Sequence, residues 1–197
     1  MPIGTAAHSF GLETMVTEGH LRVEMLGDFL ADWLEENGVL EAVFLRAAWR
    51  GGDPGALNAT LSARKPARES RTASLTLGRR FLQLAAGLQP APELAGVAEA
   101  HLSIAFGLVA RAFGIAEDDA AAAYLQQSLA ALISACQRLL PLGQSRAAGL
   151  LWDLHPSIRA AAGRSGTLDP EDAAGFMPLV DLASMLHPSL ETRLFIS

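Results

Sequence analysis

The spacing of the apolar residues restricts this chain more than any other feature. Leu26, Phe29, Leu30, Trp33 and Leu34 recur at i, i+3, i+4, i+7 and i+8, which predicts a helix from about Leu21 to Glu36. Asn37-Gly38 is expected to end it, because both residues tolerate a left-handed helix end. The same period returns with Val39, Val43, Phe44 and Ala47, and again with Leu57 and Leu61 after the Asp53-Pro54 start signal. Longer helical patterns run over about Arg68–Ala86, Ala98–Phe113 and Glu117–Leu140. Shorter ones cover Gln144–Leu154, a piece to Ala162, a stretch from Asp169-Pro170, Pro178–His187 and Leu190–Phe195. No run alternates with period 2 between hairpin turns, and no internal repeat is present. The predicted class is all-α: a single irregular helical bundle of about nine or ten helices forming one domain over 1–197. Its core should include Leu26, Phe29, Leu30, Trp33, Phe81, Leu132 and Leu139. Gly78 lies within the Arg68–Ala86 pattern. It is either a tolerated cost of about 1 kcal/mol or a point where another helix comes close.

Composition supports a packed core: half of the residues are apolar and only 18% are charged. The net charge of −6 argues against a nucleic-acid partner. Of the 15 basic residues only Lys65 is a lysine, and an arginine-dominated surface suits contacts with protein. No apolar run reaches the ~20 residues needed to span a bilayer, and the first residues do not read as a targeting segment, so a cytoplasmic protein is expected.

The chemistry-bearing residues are scattered. His8, His20, His101, His155 and His187 include no pair at i, i+4, and a single cysteine, Cys136, excludes a Cys-cluster zinc site. His187 with Glu191, or Asp153 with His155, would supply only half a metal site. No metal ligands and no cofactor are therefore assigned, and the folded protein is expected to withstand a chelator. Cys136, set among Leu132, Ile133, Leu139 and Leu140, reads as a buried thiol. The only lysine follows no glycine-rich turn, so a P-loop is absent. Nothing assembles a nucleophile, a base and oxyanion donors, and a non-catalytic protein is expected.

Three stretches ask for more. Pro2 to Glu13 carries a glycine-bearing lead-in and then Ser9-Phe10-Gly11-Leu12-Glu13, where Ser9 is placed to cap a helix. Arg138 to Gln144 ends a helix in a Pro141-Leu142-Gly143 corner that would fix Arg138 relative to Gln144. From Asp181 to Ser197 the chain stays apolar where ends are normally polar, so it must dock, on its own bundle or on another protein.

Together these stretches resemble the UreF family of urease accessory proteins. The matching residues are Pro2 and Gly4 with Ser9 to Glu13, then Arg138 to Gln144, then Asp181 to His187 and Arg193 to Ser197. Weaker echoes lie in Arg68 to Gly78 and in Ala105-Phe106-Gly107. Many members carry a second Gly-Gln where this chain has Ala147-Ala148. The resemblance implies an all-helical, non-enzymatic protein that forms two-fold dimers. It also implies binding to UreD (UreH in some species), recruitment of the GTPase UreG, and help in delivering nickel to apo-urease. The alternative is a helical regulator of the GTPase cycle acting through Arg138 or Arg193 as an arginine finger. Partner-binding positions implied by the motifs are Ser9, Glu13, Arg138, Gln144, His187, Arg193, Leu194 and Phe195. On this reading the tail, about 188–197, docks on a partner and is only marginally ordered without one. Arg138→Ala is expected to weaken partner recruitment more than folding.

Overall fold

The computed structural model describes residues 7–196. The described residues form ten α-helices and no strand: α1 (Leu12–Thr17), α2 (Leu26–Trp33), α3 (Val39–Trp49), α4 (Pro54–Ala63), α5 (Arg68–Leu88), α6 (Leu102–Ala112), α7 (Glu117–Leu139), α8 (Gln144–Asp153), α9 (His155–Ser165) and α10 (Pro178–Leu186). None is long and apolar enough to cross a membrane. The all-α class expected from the period is what the chain adopts.

Helix α3 is the axis of the bundle, buried from Val39 to Arg46 without a break. It packs mainly on α6, with α7 and α9 against its other sides. Gly107 permits the close approach of α6 to α3, since a Cβ there would stand 2.1 Å from the Leu45 carbonyl oxygen. Gly78 of α5 does the same job against the irregular segment before α6: a Cβ would stand 1.9 Å from the Ala100 carbonyl oxygen. Gly78 therefore serves close approach, though of the non-helical segment before α6 and not of another helix as expected. Arg46, only 3% exposed, ties α3 to α7 and α9. Its guanidinium donates to Glu117 at 2.7 Å, to Ser165 Oγ at 3.0 Å and to the Ala162 carbonyl at 2.9 Å.

Four local expectations need correction. Asn37-Gly38 does not stop the helix. The chain passes from α2 through a π-helical turn, Leu34–Gly38, straight into α3. Gly38 keeps right-handed angles (φ −62, ψ −50) and is buried beside the Leu125 side chain, so packing overrides its stop signal. Asp169-Pro170 begins a turn rather than a helix, closed by the amides of Asp172 and Ala173 on the Asp169 carbonyl. Residues 190–196 are not helical either. Phe29, Trp33 and Leu139 are half-buried on the rim of the core, while Leu26, Leu30, Phe81 and Leu132 lie inside it.

Candidate functional site

Ser9 does not cap α1. The N-cap position belongs to Gly11, and the Leu12 amide bonds the Ser9 carbonyl at 3.1 Å. Two consecutive left-handed residues, Phe10 (φ 51) and Gly11 (φ 89), reverse the chain here. Phe10 is a strained choice for that region. Gly11 is required on two counts, because a Cβ would also stand 2.8 Å from the Val180 carbonyl oxygen and from Ser184 Oγ of α10. The reversal sets α1 against α10 and buries Ser9 completely. The hydroxyls of Ser9 and Thr14 are buried with no hydrogen-bond partner among the described residues.

The turn delivers Glu13, a carboxylate only 3% exposed, to the end of α10. Its Oε2 accepts from His187 Nε2 at 2.8 Å and from the Phe195 amide at 3.2 Å. Its Oε1 accepts from the Leu194 amide at 2.5 Å. An ionised carboxylate only accepts, so the imidazole donates from Nε2. Arg138, at the last turn of α7, completes the arrangement. Its guanidinium lies 4.1 Å from the centre of the Phe195 ring and donates to the Leu194 carbonyl at 3.1 Å. The Ile196 amide then reaches the Ala7 carbonyl at 2.8 Å. The segment is non-helical and bent because its amides find acceptors on Glu13 and Ala7 rather than one helical turn back. Along it Phe195 points in, 5% exposed, while Leu194 and Ile196 stay outside at 55% and 71%.

Of the eight candidate positions, Glu13, Arg138, His187, Leu194 and Phe195 thus meet at one place, with Ser9 buried just behind. Gln144 and Arg193 do not join them: both are exposed, and neither side chain makes a hydrogen bond or ion pair among the described residues. Pro2, Gly4 and Ser197 lie outside the described residues. The tail expected to stay marginal until a partner covers it is instead docked on its own bundle. The reason is a buried carboxylate that supplies acceptors for two of its amides, a gain that summed side-chain burial leaves out. His187 takes its carboxylate from Glu13, not from Glu191. His155 Nδ1 turns to the Trp152 carbonyl at 3.0 Å rather than to Asp153. No three His, Cys, Asp or Glu side chains gather as a metal site among the described residues. Cys136 is fully buried, and burial pushes its thiol up to about 12.

Around this corner the surface is unusually apolar. Leu179, Leu182 and Leu186 lie along one side of α10 at i, i+3 and i+7 and are 45%, 55% and 53% exposed. With Met185, Phe176 and the outward Leu194 and Ile196 they form the kind of exposed apolar face that marks a protein contact. Only the apolar tail hinted at this face in the sequence. The convergence on Glu13 had no sequence signal beyond the three motifs themselves.

The UreF family model matches residues 22–155. The chain is 31% identical to the urease accessory protein UreF of Paenarthrobacter aurescens over 100% of this chain and 93% of that protein. It is 35% identical to the urease accessory protein UreF of Paracoccus denitrificans, over 100% of this chain and 90% of the relative. A third UreF, from Xanthobacter autotrophicus, is 35% identical over 100% of this chain and 86% of its own length.

Proposed function

This chain belongs to the UreF family of urease accessory proteins, and on that premise we propose that it is a non-catalytic scaffold of urease maturation in the cytoplasm. It assembles with UreD (UreH) and the GTPase UreG on apo-urease, as a homodimer within the complex, so that nickel is delivered to the enzyme. One observation carries this reading: the three family motifs converge on Glu13 and hold an apolar face of α10 and segment 190–196 open to solvent. A free monomer gains nothing from such a face, whereas a partner would bury it at roughly 25 cal/mol per Å². Leu194, Phe195 and His187 then act in pairs of roles: Phe195 and His187 anchor the segment, and Leu194 meets the partner.

The GTPase-regulator alternative gains no support at Arg138, whose guanidinium is engaged by Leu194 and Phe195. The test is co-expression with UreD, UreG and the urease subunits. Leu182→Asp combined with Leu186→Asp should leave a folded helical protein, abolish co-purification and yield nickel-poor urease. Normal assembly by that variant would place the partner surface elsewhere. An unchanged complex with altered GTP turnover would favour the regulator reading.

A further inference from the structure

Between α3, α5, α7 and α10 lies a cavity of about 120 Å³ that the urease role does not use. Phe10, Trp33 and Phe106 contribute aromatic walls, and Glu41, Lys65 and Tyr124 line its polar end. Lys65 is the only lysine of the chain, and its ammonium pairs with Glu41, a carboxylate just 6% exposed. Tyr124 donates its hydroxyl to the other oxygen of Glu41 at 3.4 Å.

Stability alone does not account for this pair. Two charges withdrawn from water cost several kcal/mol each, and apolar residues of the same volume commonly do as well. An arginine, the residue used at every other basic position, would fork onto Glu41 and spend its donors there. An ammonium has three donors, and Glu41 is the only side chain that accepts from it among the described residues. The remaining N–H groups belong to a residue that lines the cavity.

We propose that this cavity binds a small neutral aromatic molecule bearing a hydroxyl or carbonyl oxygen, its ring against Trp33 and Phe106 and its oxygen on Lys65. The size is of the right order: an apolar cavity of ~150 Å³ takes up benzene, and this slightly smaller one opens to the surface beside the exposed Gln127. The charge fits as well: an anion would face Glu41 and a cation would face Lys65, while a neutral acceptor satisfies the ammonium without opposing the pair. The lining also holds the carboxyl of Asp181, pushed up by burial and drawn back by Lys65, and the guanidinium of Arg64, so a second acid faces a second base and neither sign of charge is favoured.

Phenol is the probe, toluene the same ring without the oxygen, and the indole resonance of Trp33 in the full chain the reporter. Phenol should shift that resonance saturably and bind about tenfold tighter than toluene, the worth of one hydrogen bond. Lys65→Met with Glu41→Gln removes both charges without stranding either, and should bring phenol down to the toluene affinity. Ala131→Phe, which leaves the ion pair intact and fills the space from α7, should abolish binding of both and decides the matter if the double variant does not fold. No saturable shift, equal phenol binding by wild type and double variant, or undiminished binding by Ala131→Phe would each overturn the proposal.

Discussion

Glu13 is the residue on which most depends, and it shows how one carboxylate can replace a run of weak contacts. Hydrogen bonds to a charged group are worth about 1.5–3 kcal/mol, roughly twice neutral ones. Glu13→Gln keeps the volume but removes the charge, so we expect a loss of roughly 2–3 kcal/mol in denaturant titrations. Faster amide exchange should accompany it at Leu194 and Phe195, with the amides of α3 unaffected. His101 is the residue that ties stability to pH. It is fully buried, its Nδ1 has no partner among the described residues, and its Nε2 pairs with Ser62 Oγ at 2.8 Å. Burial lowers its value from 6.5 to about 4, the Lys65 and Arg71 charges adding to the effect and the Glu41 charge opposing it. The neutral ring therefore favours the folded state fully above pH 6.5, and this advantage is lost as pH falls toward 4. We expect roughly 3 kcal/mol to disappear over that window, and His101→Gln to flatten the slope measured by urea unfolding at a series of pH values. Neither role was legible beforehand. Glu13 and His101 were visible as residue types, but what decides their chemistry is burial and partners far away in the sequence.

At the scale of elements, the 3.6 period located most helices because each needs only a local apolar stripe and a cap. Asp53 shows the cap signal read correctly: its carboxylate accepts from the Ala56 amide at 2.7 Å at the head of α4. Stop signals were less reliable. Gly38 reads as a terminus but serves packing, and Glu36, expected to close a helix, accepts from the Phe176 amide at 2.8 Å. Two glycines make the distinction measurable. Gly149 in α8 has open space where a Cβ would go, so Gly149→Ala should stabilise by about 0.8–1 kcal/mol through helix propensity. Gly107→Ala offers the same propensity gain but drives a methyl into the Leu45 carbonyl. It should destabilise by at least about 1–3 kcal/mol, with both changes read as shifts in thermal midpoint. A stabilised Gly107→Ala variant would mean that α3 and α6 separate more easily than their packing implies.

For the whole molecule, the three family motifs announced themselves in the sequence, while their meeting at one corner did not, because proximity across the chain leaves no periodic trace. The docked segment also revises what truncation should do. Removing residues 188–197 takes away a ring 5% exposed and leaves the Glu13 carboxylate buried without its amide donors. A loss of roughly 3–5 kcal/mol is expected from the aromatic side chain alone, seen as a lower unfolding midpoint and a tendency to aggregate. A truncated protein as stable as the intact one would return the tail to the role of a partner-dependent arm. The carboxylate of Glu13 and the amides it holds are 181 and 182 positions apart, so these bonds close one of the longest loops the chain contains. During synthesis the acceptor waits for all the intervening residues to be added before its donors exist. Chains interrupted at any point in between can build the central helices but not this corner. The apolar face beside it therefore takes its final form only in chains translated past Phe195, so a chain that lacks either partner of these bonds cannot present that face.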